Sequence, residues 1–138
     1  MFSIDRDSLR ISELLSRLQL RLDSAALSGV ENMAIDEALL LSAASSDIPI
    51  LGIYGWEEPT VSVGYFEPYA SAAGAAMPVI RRWIGGGVVR HGSGEDLTYS
   101  LTVPARHPFC KCRPAASYQA IHGMLVTALV ASGSGVKA

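Results

Sequence analysis

Apolar and polar positions alternate near the amino end of the chain. Over Leu18–Leu22 leucines alternate with polar residues, a period of two that is typical of a strand. Just upstream, between Ile11 and Leu18, apolar residues recur at spacings of three and four, which fits one face of a helix. We therefore predict a short helix that leads into a strand.

Two longer segments have the apolar spacing of helices. Glu31–Ala44 begins with acidic residues, which suit the amino end of a helix dipole. Its apolar residues that suit packing are Met33, Ala34, Ala38, Leu40 and Leu41. Ser117–Ala131 is the second segment, and Gly133 follows it as a residue that commonly ends helices. Both segments are predicted to be helical.

Five apolar, β-branched and aromatic runs predict strands in the middle of the chain. They are Ile50–Trp56, Thr60–Phe66, Val79–Trp83, Val88–His91 and Leu97–Val103. The first two are separated only by Glu57, Glu58 and Pro59, which predicts a tight turn between paired strands. For Tyr69–Met77, rich in alanine and glycine, a short helix and a mobile loop both stay open. Hairpin-like strands with helices before and after them predict an α+β fold and not a doubly wound parallel sheet.

The size of the chain fits one compact domain over residues 1–138. Its longest apolar stretches, Ala72–Ile80 and Met124–Ala131, fall well below the roughly 20 residues that span a bilayer. The amino end mixes acidic with basic residues and lacks the apolar core of a secretory signal. We therefore expect a cytoplasmic protein with no membrane partner.

Basic residues are concentrated in one part of the chain. Residues 1–80 hold four arginines against eleven acids, whereas Arg81–Arg113 holds six basic residues against Glu95 and Asp96. A cationic island of this kind suits a carboxylate or a phosphate better than a nucleic acid, which usually requires a basic domain as a whole. We therefore expect no nucleic-acid partner. A solvated basic face is the other interpretation, and the charges alone leave both open.

Three consecutive glycines, Gly85, Gly86 and Gly87, lie inside this island. They match neither a GxxxxGK[ST] phosphate loop nor a dinucleotide fingerprint, because they are flanked by two predicted strands and do not open a helix. A turn without side chains lets a ligand lie on the backbone and presents N–H groups to an anion, and Arg82 and His91 could add charge and a hydrogen bond. A β-bulge and turn without a ligand is the alternative.

Three segments of the chain resemble the catalytic domain of the lipoate-protein ligase and octanoyltransferase family. The signature is MPVIRRWIGGGVVRHGSGEDLTYSLTVP, in which two arginines, a glycine triplet and a histidine run into a TYS-type strand. LDSAALSGVENMAIDEALL resembles the strand and helix that open this domain, and LGIYGWEEPTVSVGYFEP resembles the hairpin that follows. These segments occur in the family's order and cover nearly the whole chain from about Leu18, so residues 1–17 are interpreted as an N-terminal extension.

The resemblance implies a fold and an activity. The fold is that of biotin and lipoate ligases, a mixed, mostly antiparallel sheet flanked by helices, related to the cores of class II aminoacyl-tRNA synthetases. The activity is transfer of a lipoyl or octanoyl group, through an acyl-adenylate or from an acyl carrier, to a lysine of a lipoyl carrier domain. A ligase would use lipoate or octanoate with ATP and Mg²⁺. After His91 the run HGSGE resembles the HGPGQ of the octanoyltransferases, so the choice between the two branches stays open.

The resemblance also implies which residues bind the acyl group. Arg82 and the loop of Gly85, Gly86 and Gly87 would line the pocket and its activated carbonyl, with His91 at the same pocket. Tyr54 and Val89 would supply apolar wall, worth about 0.8 kcal/mol for each buried methylene of the acyl chain. For both residues, plain core is an equal alternative. Arg81 is the less certain arginine, because adjacent strand residues point to opposite faces.

The catalytic residue stays unknown. In the family, a lysine in a KIxG-type strand beyond the last predicted helix activates the acyl carbonyl, and neither Lys111 nor Lys137 stands in that context. We therefore interpret residues 1–138 as the N-terminal part of a catalytic domain. The residues present support binding of the acyl group better than they support catalytic turnover. The alternative is a non-enzymatic acyl-binding or scaffold half that works with a second polypeptide.

Cys110 and Cys112 have no assigned role. Their spacing is too tight for an ordinary structural disulfide. With His107 they could supply three ligands to a metal, but His-x-x-Cys-x-Cys is not a standard zinc spacing and a fourth ligand such as His122 would be distant. We expect no metal site here.

Overall fold

The structure is a computed structural model, and it describes residues 13, 15–94 and 96–133. Within these residues, six strands and two α-helices with both ends defined follow one another. The strands are β1 (Gln19–Leu22), β2 (Ile50–Tyr54), β3 (Thr60–Val63), β4 (Val79–Arg81), β5 (Val89–His91) and β6 (Thr98–Thr102). The helices are α1 (Gly29–Ser42) and α2 (Pro114–Ala131), and short 3₁₀ helices cover Tyr69–Ala72 and Pro108–Lys111. Most of the N-terminal extension, together with Glu95 and Lys137, lies outside the described residues.

The strands form two sheets of three strands each. In the first sheet β2 is central, with β1 parallel on one side and β6 antiparallel on the other. In the second sheet β3 is central, with β4 parallel and β5 antiparallel. The α+β class with mixed pairing and flanking helices is therefore confirmed, with the strands divided between two small sheets.

The expected hairpin between the second and third strands is wrong. β2 and β3 do not pair with each other, because they are the centres of different sheets. Instead of turning back, the chain after β2 makes a parallel bridge from Trp56 to Leu27, and the amide of Glu57 donates to the Leu27 carbonyl at 2.9 Å. Both edges of β2 are already occupied, by β1 and by β6, so β3 cannot pair with it and the chain crosses to the second sheet.

Helix α1 begins two residues earlier than its acidic pattern predicts. The Ser28 hydroxyl accepts from the Glu31 amide, and the Glu31 carboxylate accepts in return from the Ser28 amide at 3.0 Å. This reciprocal capping box satisfies two amide groups that the first turn of a helix otherwise leaves unpaired. Hydrogen bonds from the Ser28 side chain and backbone also hold the pKa of Glu31 below its usual value.

Helix α1 packs against strands of both sheets through only part of its apolar set. Met33 is buried in a cluster with Tyr54, Trp56 and Ile80, as its spacing predicts. Leu40 and Leu41 were expected to pack as well, but they are 52% and 70% exposed. The spacing of apolar residues does not predict which of them are buried. Burial depends on whether another element packs against the residue, as it does at Met33.

Helix α2 forms the other side of the fold. Its predicted end is confirmed, since Gly133 has a φ of +78°, the left-handed conformation that follows many helices. Ala120 of α2 packs in a cluster with Leu15 and Phe109, and Cys112 lies against that cluster. The thiol of Cys110 lies 3.4 Å from the Pro104 carbonyl oxygen.

In the described ranges, no helix is both long and apolar enough to cross a membrane. Within the same ranges, no three histidine, cysteine, aspartate or glutamate side chains lie together in a way that could hold a metal ion.

Candidate functional site

The glycine triplet connects β4 to β5 and lies against the chain just after β3. The amide of Tyr65 donates to the Ile84 carbonyl at 2.8 Å, which fixes the start of the glycine loop. A Cβ added to Gly64 would overlap the carbonyl oxygen of Gly86. Gly64 is therefore a glycine because the backbone of the loop passes directly over it.

The three glycines of the loop differ in what their backbones require. Gly86 has a φ of +101°, a conformation that L side chains rarely adopt. Gly85 and Gly87 have no positive φ, and a Cβ on either would meet no protein atom within 4 Å. The turn by itself thus explains Gly86, whereas the protein's own packing does not require glycine at 85 or 87.

Arg82 ties this loop to β3. Its guanidinium donates through one nitrogen to the carbonyl oxygen and hydroxyl of Ser62, at 3.0 Å and 2.6 Å. The other nitrogen donates to the Gly87 carbonyl at 2.8 Å and lies 3.5 Å from that of Gly85. Burial lowers the pKa of the Arg82 guanidinium from its usual value. The arginine expected beside the acyl carbonyl is therefore also the residue that holds the glycine loop in place.

Arg81 points to the other face of β4 and holds a different loop. One guanidinium nitrogen donates to the carbonyls of Gly64, Tyr65 and Glu67, at 2.7–2.8 Å. The guanidinium carbon also lies 4.4 Å from the centre of the Tyr69 ring. Arg81 at the end of β4 and Arg82 just after it thus hold different loops, which agrees with the alternation of side chains along an extended chain.

Three arginines of the cationic island are bound by other groups of the protein. Besides the two arginines bound to backbone carbonyls, Arg106 forms an ion pair with Asp47 at 2.5 Å. This pair is exposed, and such pairs contribute little to stability. Of these three arginines, Arg82 is the one that binds the glycine loop, so the candidate anion site lies beside Arg82.

His91, at the end of β5, is held by two neighbours. Nε2 lies 2.7 Å from the Ser62 hydroxyl, and the ring stacks on Trp56 with 3.8 Å between centroids and 16° between planes. Burial lowers the pKa of His91 below its usual value, the negative charge of Asp96 raises it, and the positive charge of Arg82 lowers it. His91 is therefore an oriented imidazole that resists protonation.

Ser62 connects the arginine to the histidine and was not predicted from the sequence. It is fully buried in β3, opposite Val89 of β5, so its side chain shares a face with those of Val89 and His91. The available signal was a serine between two valines in an otherwise apolar strand, TVSV. A buried hydroxyl at such a position requires a polar partner.

The two residues expected as apolar wall lie in different surroundings. Tyr54 is buried beside Trp56, and its hydroxyl donates to Asp36 at 2.8 Å. Burial, followed by the charge of Asp36 and the hydrogen bond to it, raises the pKa of Tyr54. Val89 is 43% exposed on the same face of β5 as His91. The fold thus brings Arg82, the glycine loop, His91 and Val89 to one face, and places Tyr54 in the core below it.

A groove lies on another side of β4. It encloses about 320 Å³ between α1 and β4. Its lining includes Val30, Met33, Glu37, Tyr69, Arg81 and Trp83. Neither His91 nor the three loop glycines line it, so the groove is separate from the face that carries the candidate site.

The chain matches known proteins over most of its length. The family model described as lipoyl protein ligase A/B catalytic domain matches residues 28–138. A relative from Carboxydothermus hydrogenoformans, named octanoyltransferase LipM, is 39% identical over 94 residues, which are 63% of this chain and 34% of the relative. The protein of the same name from Bacillus subtilis is 35% identical over 107 residues, 72% of this chain and 38% of the relative.

Solved structures include a similar protein. A Thermoplasma acidophilum protein assigned as a lipoate protein ligase, with bound lipoic acid, is 30% identical with a TM-score of 0.50, and the match covers 62% of this chain and 37% of that one. The chain thus spans about a third of the length of the curated relatives and of the solved structure that it matches.

Proposed function

Because this chain belongs to the lipoyl protein ligase A/B catalytic domain family, we propose that it binds the lipoyl or octanoyl group in an enzyme that transfers this group to a lysine of a lipoyl carrier domain. The observation that carries the proposal is the arrangement around Arg82. This arginine binds the carbonyls of the glycine loop on one side and the hydroxyl of Ser62, next to His91, on the other.

The open space at Gly85 and Gly87 supports binding at this loop. A Cβ at either position would meet no atom of the described residues within 4 Å, so glycine there leaves room for a ligand. An acyl carbonyl or carboxylate could approach the backbone amides directly, with Arg82 providing positive charge nearby. The exposed part of Val89 lies on the same face and offers apolar contact to the acyl chain.

The chemistry of the transfer explains the need for these groups. The lysine amine of the carrier attacks the acyl carbonyl carbon and forms an amide. The bond from that carbon to the leaving group breaks, and the amine loses a proton to the medium. Negative charge develops on the carbonyl oxygen during this step, and preorganised N–H donors stabilise it. In this chain the loop amides and the imidazole of His91 are candidates for that stabilisation.

The acyl group could arrive in two forms. Free lipoate or octanoate must first react with ATP and Mg²⁺ to form an acyl-adenylate with release of pyrophosphate, whereas an octanoyl thioester of an acyl carrier is already activated. We propose the thioester route, since the relatives in C. hydrogenoformans and B. subtilis are both named octanoyltransferases. The glycine loop and Arg82 suit the carbonyl of either donor.

We also propose that the reaction takes place in the cytoplasm.

The test has a binding arm and a transfer arm. In the binding arm, a non-hydrolysable octanoyl-adenylate analogue and octanoyl-pantetheine are titrated into the chain by calorimetry. In the transfer arm, the chain is incubated with a lipoyl carrier domain and either octanoyl-acyl carrier protein or octanoate, ATP and Mg²⁺, and the carrier is weighed by mass spectrometry. We expect binding of the acyl probe, and any carrier mass gain to occur with the thioester in the absence of ATP. Failure of both probes to bind at millimolar concentration contradicts the proposal.

Exposed leucines favour a second version, in which the chain is an acyl-binding half that works with a second polypeptide. Leu20 and Leu22 of β1, with Leu41 of α1, are 52%, 63% and 70% exposed. Leu20 and Leu22 lie on one face of β1, since strand residues two apart share a face, and an exposed apolar face commonly marks an interaction site. Carrier acylation only after a second polypeptide is added would support this version, and acylation by the chain alone would exclude it.

A further inference from the structure

The hydroxyl of Ser62 lies between the side chains of Arg82 and His91. Its oxygen is 2.6 Å from a guanidinium nitrogen of Arg82 and 2.7 Å from Nε2 of His91. Ser62 has no exposed surface, so water does not reach this hydroxyl in the folded chain. The hydrogen of the hydroxyl must therefore find its acceptor within the protein.

The chemistry of the three groups fixes the direction of both hydrogen bonds. A guanidinium carries only donors, so Ser62 accepts from Arg82. If Ser62 accepted from His91 as well, its own hydrogen would be buried without an acceptor. Nε2 of His91 is the one acceptor that the described residues place within hydrogen-bond distance of this hydroxyl, so Ser62 donates to it.

We propose that Ser62 is a positioning residue, which holds His91 as a neutral imidazole with its proton on Nδ1 and so makes Nδ1 the nitrogen that donates to the acyl oxygen. The proposal rests on the acyl-binding role of His91 given above. A nitrogen that accepts from a buried hydroxyl cannot serve as a donor to a ligand. Within residues 13, 15–94 and 96–133, Nδ1 of His91 has no hydrogen-bond partner.

Two neighbours, Trp56 and Arg82, support this state of the ring. Trp56 fixes the ring plane by stacking, and the Trp56 ring is itself anchored by a hydrogen bond of 2.9 Å to Thr98. Burial and the positive charge of Arg82 disfavour protonation of His91, while Asp96 opposes them. A neutral His91 protonated on Nδ1 already carries the N–H that would donate a hydrogen bond to the carbonyl oxygen, and this bond would stabilise the negative charge that develops there.

The tautomer is measured directly by long-range ¹H–¹⁵N correlation of the imidazole rings in the whole ¹⁵N-labelled chain. The His91→Gln variant identifies the His91 signals among those of the three histidines. At pH 7 we expect Nδ1 with the chemical shift of a protonated nitrogen and Nε2 with that of an unprotonated one. The opposite pattern, or a doubly protonated ring at pH 7, would overturn the proposal.

Two variants test the role of the hydroxyl. Ser62→Ala should raise the pKa of His91 and leave both tautomers populated, because the ring nitrogen loses its donor. Ser62→Thr keeps the hydroxyl and should restore the wild-type tautomer. A role in packing alone would not move the ¹⁵N shifts of the ring in this way. Unchanged shifts and an unchanged pKa in a folded Ser62→Ala protein would contradict the proposal.

Adding octanoate or lipoate to the labelled chain separates this inference from the proposed function. We expect the Nδ1 resonance to move and that of Nε2 to stay. Movement centred on Nε2 would show that the wrong nitrogen has been assigned to the ligand. If neither ¹⁵N chemical shift changes, His91 does not bind the acyl group. The tautomer measured in the free protein then still tests whether Ser62 positions the ring.

Discussion

Gly64 and Gly86 meet backbone to backbone, with no space for a side chain between them. A Cβ on Gly64 would overlap the Gly86 carbonyl oxygen. The absence of a side chain at Gly64 therefore allows the glycine loop to lie directly against the chain that follows β3. The loop position therefore depends on a residue outside the glycine triplet. The contact is also what brings the loop carbonyls within reach of Arg82.

Gly64→Ala should destabilise the fold, because either the loop or β3 must move to admit the methyl group. Overpacking of this kind costs about 1–3 kcal/mol, which thermal unfolding followed by circular dichroism would show as a lower melting temperature. Gly123→Ala is the matched control, since its Cβ meets nothing within 4 Å and it lies inside α2. That variant should be neutral or slightly more stable. Equal melting temperatures for the two variants would contradict the close approach.

Gly87→Ala and Gly86→Ala should have opposite signatures. Gly87→Ala introduces a side chain into open space, so stability should be kept while binding of octanoyl-pantetheine weakens. Gly86→Ala forces alanine into a φ of +101° and should lower stability by about 1–2 kcal/mol. Calorimetric titration and thermal unfolding of both variants measure the two effects. Full affinity in both Gly85→Ala and Gly87→Ala would favour a turn without a ligand.

Arg82→Ala should weaken acyl binding by losing a charged donor and by releasing the loop. Loss of one charge-assisted hydrogen bond costs about 1.5–3 kcal/mol, or one to two decades in Kd. Arg90→Ala is the control, because Arg90 is exposed and alternates to the opposite face of β5 from His91. An equal loss of affinity in both variants would mean that general positive charge, and not Arg82 itself, attracts the ligand.

The depressed pKa of His91 predicts how stability depends on pH. In the unfolded chain the histidine takes up a proton near pH 6.5, whereas in the folded chain it does so only at lower pH. The unfolded state thus binds more protons between these two values, so stability should fall as pH is lowered from about 6.5 through the folded pKa. Urea unfolding at pH 7.5, 6.5 and 5.5 measures this, and His91→Gln should flatten the dependence.

His122→Gln is the matched control for the pH series, since it removes another histidine whose ring lies near Tyr118 on α2. It should leave the slope between pH 6.5 and 5.5 as in the wild type. A slope that survives in His91→Gln and disappears in His122→Gln would assign the effect to the wrong histidine.

Short stretches of the sequence were enough to predict the helices, the strand segments and the residues that make up the glycine loop. The helix predicted from Glu31, the stop at Gly133 and the apolar runs of the strands are signals carried by short stretches of sequence. The structure confirms these elements, although α1 begins two residues earlier, at Gly29. The binding of Arg81 and Arg82 to different loops agrees with the same kind of reasoning. The resemblance to the ligase family, carried by the glycine triplet and its flanks, is confirmed by the match over residues 28–138.

The partners of these elements were decided only by the tertiary structure. Whether β2 pairs with β3, whether Leu40 lies under another element and what Gly64 contacts all depend on residues distant in sequence. Ser62 shows this most clearly, because its role comes from two side chains 20 and 29 positions away. A serine in an apolar strand signals a polar contact from the sequence alone, but only the packing of three strands shows that the contact joins Arg82 to His91.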